Sequence, residues 1–102
     1  MNAKKVELKK EIDSLLYRRL MDQFFRRNEW HYETSITSVK VFQQKFKQKD
    51  AVVIEIESHR PGLLIGKGGE FIDGLIKFIK EETKENIHLA LKECELWLGL
   101  YK

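Results

Sequence analysis

The chain has 102 residues, which is the length of one domain with a single modest core. Its 42% apolar and 34% charged residues are typical of a soluble globular protein, and no apolar run approaches the roughly 18 to 20 residues that a membrane span needs. The formal net charge is +3, and its excess lies near the N-terminus: residues 1–27 carry eight Lys and Arg against four acids, whereas residues 51–102 carry seven against nine.

Two further features bear on the compartment. The N-terminus runs directly into a charged segment and lacks the apolar stretch of a signal peptide. Cys94 is the only cysteine, so the chain cannot form an internal disulfide, which favours a reducing compartment. We therefore expect a cytoplasmic protein without a membrane partner.

Residues 4 to about 26 are predicted to form one long helix. Its apolar side chains recur at steps of three and four residues, at Leu8, Ile12, Leu15/Leu16, Leu20 and Phe24. Lys and Arg fill the opposite face. Its last two turns carry four arginines that fit a solvated face and a nucleic-acid contact equally well: Arg18, Arg19, Arg26 and Arg27.

Two strands are predicted next. Residues 36–44 alternate in the β-rich pattern Ile-Thr-Ser-Val-Lys-Val-Phe, and residues 51–58 place Val52, Ile54 and Ile56 on one side. The polar link between them contains a turn, so the strands should form an antiparallel hairpin.

The second half is predicted to hold two helices and a strand. A short helix begins at Pro61 and ends before Gly66, a second helix covers Glu70 to Thr83, and a last strand covers Ile87 to Leu98. A strand, two helices and a strand in one sheet make a crossover, so the flanking strands should be parallel. The expected fold is a single α+β domain over 1–102, of order α-β-β-α-α-β, with an N-terminal helix in 1–27 and a three-stranded mixed sheet in 35–98 covered by helices on one face.

The one motif that carries chemistry is the glycine-rich loop Gly66-Lys67-Gly68-Gly69. It is not a P-loop, because only three residues separate Gly62 from Gly66 and Gly68 stands where Ser or Thr is required. It is not a dinucleotide fingerprint either, because Phe71 stands where the third glycine belongs. What remains is a tight loop that opens into a helix. Its glycines let a sugar-phosphate backbone approach, the helix N-terminus favours an anion, and Lys67 adds a charge.

The residues around this loop resemble a known family. The strand Ile54-Glu55-Ile56 and the stretch Arg60-Pro61-Gly62-Leu63-Leu64-Ile65-Gly66-Lys67-Gly68-Gly69-Glu70-Phe71-Ile72 are similar to the Ile-Gly-x-x-Gly-x-x-Ile signature of type II KH domains, which occur in a small-subunit ribosomal protein and in Era-type GTPases. The resemblance covers roughly residues 35–98, and the predicted element order agrees with it.

The resemblance implies a groove for about four unpaired nucleotides of single-stranded RNA. By position, Gly66, Lys67, Gly68 and Gly69 would hold the backbone phosphates with help from Arg60. The apolar floor under the bases would be formed by Ile56, Leu64, Ile65 and Ile72. Leu89, on the last strand, would lie where the edges of the bases are read. Ile65 and Ile72 are expected to be shared between core and groove, and residues such as Ile56 and Leu89 are more often part of a core than of a contact surface.

The sequence shows no pattern for catalysis. His31, His59, His88 and Cys94 lack the spacing of metal ligands, and no nucleophile lies beside a base, so we predict neither an enzyme nor a metal or cofactor. The expected function is single-stranded RNA binding, with ribosomal or messenger RNA as the partner. The alternatives are a KH-fold module that docks on a protein in a ribonucleoprotein or ribosome-associated assembly, favoured by the acidic second half, and a single-stranded DNA binder.

Overall fold

The computed structural model describes residues 14–93 and the backbone of residues 9–11. Within these residues, four strands and three α-helices follow one another: β1 (Lys9–Glu11), α1 (Leu15–Arg27), β2 (Ile36–Phe46), β3 (Lys49–Ser58), α2 (Pro61–Ile65), α3 (Glu70–Thr83) and β4 (Ile87–Glu93). Single turns of 3₁₀ helix precede β2 at Glu33–Ser35 and α3 at Lys67–Gly69. None of the described helices is long and apolar enough to cross a membrane.

The strands form one sheet in the order β1-β2-β3-β4. Strands β2 and β3 are antiparallel, and β3 and β4 are parallel with Ile54 opposite Leu89, as the crossover through α2 and α3 requires. The predicted α+β class and the three-stranded mixed sheet are thus confirmed. The last strand is described as far as Glu93, and its predicted continuation over 94–98 lies outside the described residues.

The prediction of one helix from residue 4 was wrong over residues 9–11. These residues form β1, which pairs antiparallel with residues 42–44 of β2 and adds a short fourth strand to the three predicted ones, so the described sheet has four strands. Helix α1 begins only at Leu15, and residues 1–8 and 12–13 lie outside the described residues. The apolar spacing fitted a helix, but hydrogen bonds to a strand more than 30 positions away decide the structure here.

The β2–β3 hairpin is longer than predicted. Its strands reach Phe46 and Lys49, so only Lys47 and Gln48 form the turn. Both have positive φ, 51° and 69°, as a two-residue hairpin turn of type I′ requires. This turn lies at the start of β3, and α2 follows the other end of the same strand, roughly 30 Å away for a strand of ten residues.

The core lies between the helices and one face of the sheet. Alternate residues of β3, Val52, Ile54 and Ile56, are buried against side chains from all three helices. The helical side chains in this layer include Leu20 of α1, Leu64 of α2 and Leu75 and Ile79 of α3. Helices therefore cover one face of the sheet, as predicted.

Candidate nucleic-acid interface

The loop between α2 and α3 is held in a conformation that favours glycine at three positions. Gly66, Gly68 and Gly69 have φ values of 78°, 64° and 80°. Side chains are rare at such angles because the β-carbon crowds the backbone. The amide of Gly69 donates to the carbonyl of Gly66 at 3.2 Å, and α3 begins at the next residue, Glu70. The loop is therefore a fixed turn at the N-terminus of α3.

The glycines of this loop differ in what surrounds them. A β-carbon on Gly66 would lie 2.7 Å from the Cβ of Phe71 and 3.1 Å from its backbone nitrogen. A β-carbon on Gly68 would meet no protein atom within 4 Å. Gly66 is thus required by packing inside the protein, whereas Gly68 presents bare backbone to an open surface that a ligand can approach.

Trp30, which follows α1, holds the short helix α2 in place. Its indole Nε1 donates to the carbonyl oxygen of Leu63 at 3.0 Å, and its ring stacks on Phe71 of α3 with centroids 5.3 Å apart. The last carbonyls of a helix have no amide to bond within that helix, so this bond satisfies one of them. At the other end of α2, the backbone amide of Arg60 donates to Ser58 Oγ at 3.0 Å. Both ends of α2 are thereby fixed relative to the sheet, and the loop with them.

Three polar or glycine residues expected at the site are exposed. Lys67 and Gly68 are exposed in the loop, and Arg60 is exposed at the start of α2. Lys67 precedes the N-terminus of α3, where the helix dipole favours an anion. The first amides at this end, those of Gly69 and Glu70, donate to the carbonyls of Gly66 and Lys67 in the loop.

The apolar residues expected at the site lie at two depths. Ile65 is 40% exposed, Ile72 is half-buried, and Leu89 is half-buried and packs against the core, so these three are only partly covered by the protein. Ile56 and Leu64 are fully buried, at 0% exposure, and form the layer beneath. Strand β4, with Leu89, is the last strand of the described sheet and contacts α2.

Three of the four arginines of α1 contact other parts of the chain. Arg18 donates to the carbonyl oxygen of Val39 at 2.9 Å, on β2. Arg26 pairs with Asp22 at 2.9 Å, one turn earlier on the same helix, and the guanidinium of Arg27 lies 5.3 Å from the ring centroid of Phe78 on α3. These contacts give the arginines structural roles that the sequence pattern did not reveal.

Known proteins are similar in sequence to this region. The sequence profile of the KH domain family matches residues 23–97. The chain belongs to the KH domain family. That range contains the whole of β2 to β4, the helix pair and the loop, and the element order is that of type II KH domains.

Several relatives are similar to this KH chain over part of their length. Small ribosomal subunit protein uS3 of Phytoplasma australiense is 33% identical over 83 residues, which cover 81% of this chain and 31% of that protein. The protein of the same name from Aster yellows witches'-broom phytoplasma (strain AYWB) is 28% identical over 83 residues, again 31% of its length. That of Lactobacillus gasseri is 29% identical over 63 residues, or 62% of this chain and 27% of the relative. The chain thus spans about a third of the length of these relatives.

A cleft beside the loop was not predicted from the sequence. It has a volume of about 420 Å³ and lies between the end of α1 and the first turns of α3. Its lining consists of Phe24, Asn28, Lys67, Glu70, Phe71 and Gly74. Residues 24 and 74 are 50 positions apart, so no local pattern could have joined the two walls. Lys67 belongs both to this cleft and to the KH loop.

The histidines set aside in the sequence do not gather into a metal site. Among the described side chains, no three of His, Cys, Asp and Glu come close enough together to hold an ion. His88 instead packs its ring 4.9 Å from that of Phe46 on β2. Cys94 lies outside the described residues.

Proposed function

We propose that this KH domain binds single-stranded RNA and that its loop grips the sugar-phosphate backbone of about four unpaired nucleotides. The observation that carries the proposal is the open face of Gly68. Its φ of 64° exposes backbone beside Lys67, and no protein atom lies within 4 Å of the point that a β-carbon would occupy. A phosphate can approach such a surface closely, because no side chain stands in the way.

The electrostatics of the loop support an anionic ligand. Helix α3 has fourteen residues, and its N-terminus adjoins the loop, where the amides of Gly69 and Glu70 donate to the carbonyls of Gly66 and Lys67. The partial positive charge of this helix end adds to the charges of Lys67 and Arg60. Glu70 and Asp73 lie in the first turn of α3 and oppose this attraction.

The groove beside the loop supports bases as the other part of the ligand. Ile65 and Ile72 offer apolar surface for base faces, over the buried Ile56 and Leu64. Leu89 lies on β4, where the strand edge offers backbone groups to base edges. KH domains bind nucleic acid through their GxxG loop without catalysing a reaction. We propose no reaction for this chain.

The relatives support ribosomal RNA as the target. All three relatives described above are named small ribosomal subunit proteins. We therefore propose a cytoplasmic, ribosome-associated role, with ribosomal RNA as the first candidate and messenger RNA as the second. A ribosomal protein would be a further partner of the same assembly.

Fluorescence anisotropy of a labelled random RNA pool tests the proposal. The wild-type chain should bind single-stranded RNA more tightly than single-stranded DNA or double-stranded RNA, and binding should weaken as salt rises. The double variant Lys67→Asp, Gly68→Asp should lose at least tenfold in affinity, because it replaces the loop cation and places two carboxylates against a phosphate. Circular dichroism and urea unfolding establish that the variant is folded.

The hairpin turn offers a matched control. Lys47→Asp, Gln48→Asp changes the net charge by the same amount, and Gln48 has a φ of 69°, close to the 64° of Gly68. This control should bind RNA nearly as the wild type does, apart from the general effect of its charge. If both double variants weaken RNA binding equally, the loop is not the binding site. The same conclusion follows if neither the wild type nor the variants bind RNA at low salt. Docking on a protein partner would then be the better hypothesis.

A further inference from the structure

We propose that the cleft between α1 and α3 receives the base of one additional nucleotide, next to the four that the loop grips. This inference rests on the proposed function, because the same RNA strand must reach both places. The connection is Lys67, which lies in the loop and also lines the cleft. A backbone held at Lys67 thus delivers its neighbouring nucleotide to the mouth of the cleft.

The walls of the cleft suit the flat face of a base. Phe24 and Phe71 approach within 5.1 Å between ring centroids, at an interplanar angle of 56°, and both are half-buried. Gly74 lets the Phe24 ring pack directly on α3 as one wall of the cleft, since a β-carbon there would lie 3.1 Å from Phe24 Cζ. The volume of about 420 Å³ lies within the roughly 300 to 1,000 Å³ of ligand pockets. Aromatic walls bind bases of any sequence by stacking.

One polar group of the cleft selects among bases. The Nδ2 of Asn28 donates one hydrogen to the carbonyl of Phe24 at 2.8 Å, so Asn28 keeps a second amide hydrogen and its Oδ1 and does not discriminate among bases by itself. The carboxylate of Glu70 can only accept hydrogen bonds. This acceptor favours a base with an amino group, which adenine, cytosine and guanine have and uracil lacks. We therefore expect uracil to be the poorest occupant.

The charge of Glu70 also decides which part of the nucleotide enters. A phosphate inside the cleft would be repelled by this carboxylate, whereas an amino group would be attracted to it. The phosphate is accordingly left outside, beside the ammonium group of Lys67. An RNA strand that runs from the loop to the cleft would adopt this arrangement, with the base inside the cleft and the phosphate outside it.

The test compares RNAs of four and five nucleotides by fluorescence anisotropy. The four-nucleotide RNA is taken from the best sequence in the pool experiment, and adenine, cytosine, guanine, uracil or an abasic residue is added at either end. Adding a base at one end should raise the affinity about fivefold or more over the abasic addition, as stacking on an aromatic wall would do. Uracil should give the smallest gain, about fivefold below adenine.

Two glutamate variants separate the cleft from the general charge of the helix. Glu70→Gln keeps the size of the side chain but adds a hydrogen-bond donor. The affinities for the adenine and uracil additions should therefore become nearly equal. Glu81→Gln makes the same charge change on the exposed surface of α3, eleven residues further along, and should keep that preference. Both variants should raise overall affinity slightly by removing a negative charge.

The outcomes distinguish this inference from the proposed function. If the loop double variant loses binding but added bases gain no more than an abasic residue, the loop grips RNA and the cleft inference is wrong. If Glu70→Gln and Glu81→Gln keep the same base preference, the cleft does not read the base. If the four-nucleotide RNA binds the wild type no more tightly than it binds the loop double variant, both proposals fall.

Discussion

Replacing Gly66 by alanine should destabilise the protein far more than the same change at Gly68. The two glycines are two positions apart in one loop, and both have positive φ. Only at Gly66 would the new β-carbon collide, at 2.7 Å, with the Cβ of Phe71. Phe71 cannot move away easily, because its ring stacks on Trp30 and Phe25 in the core.

The expected magnitudes follow from these two geometries. At Gly66, φ of 78° and ψ of 177° fall in a region that is essentially restricted to glycine, which costs about 1–3 kcal/mol for alanine. The collision adds about 1–3 kcal/mol of overpacking. At Gly68, φ of 64° and ψ of 15° are left-handed helical, which costs about 1–2 kcal/mol and is partly offset by roughly 0.4–1 kcal/mol from the stiffer unfolded chain. We expect a loss of about 4 kcal/mol for Gly66→Ala and about 1 kcal/mol for Gly68→Ala.

Urea unfolding followed by circular dichroism measures both variants. Because a domain of this size has an m value of about 1–3 kcal/mol per molar urea, Gly66→Ala should lower the midpoint by more than about 1 M. The Gly68→Ala midpoint should fall by only about a quarter as much, roughly 0.3–1 M, while RNA affinity falls. If the two variants unfold at the same urea concentration, Gly66 is not held by Phe71 and the division of the loop into a packed and an open glycine is wrong.

Two further predictions concern residues away from the loop. Trp30→Phe should lower the free energy of unfolding by about 2 kcal/mol, because the carbonyl of Leu63 loses its hydrogen-bond donor. RNA binding should also weaken, because this bond holds α2 in place. An unchanged urea midpoint would contradict this role of Trp30. Burial, and to a lesser extent the charge of Glu85, raises the pKa of Tyr17 above its usual 10.0. Unfolded Tyr17 therefore ionises first, so its contribution to stability is complete below pH 10 and is lost as the pH rises through the raised pKa. Tyr17→Phe should show a smaller loss of stability above pH 10 than the wild type, and parallel pH curves would argue against the shift.

The sequence predicted those elements best whose signals are local. Helix α3 begins and ends at Glu70 and Thr83 as its apolar stripe indicated, because a glycine cluster precedes it and its 3.6-residue period is clear. The parallel pairing of β3 and β4 followed from chain order alone. The tight turn at the loop was signalled by its glycines, since glycine adopts the positive φ that Gly66, Gly68 and Gly69 have at no steric cost.

Features that depend on distant partners could not be predicted. Strand β1 has helical spacing in its sequence, and only its pairing with residues 42–44 makes it a strand. The turn at Lys47 and Gln48 lacks the Asn-Gly pattern that marks such turns, so the hairpin was predicted to be shorter than it is. Trp30 and the cleft depend on contacts across more than 30 positions, and no periodicity reports them.

The unequal surroundings of the loop glycines have a consequence for how the chain can drift during evolution. A descendant that no longer bound RNA would still need glycine at position 66, since Phe71 fills the space a side chain would take. At position 68 it could accept Asn or Asp, which tolerate left-handed backbone. Among relatives of this chain, glycine at the first position would therefore report an intact fold, and glycine at the third would report a binding surface still in use.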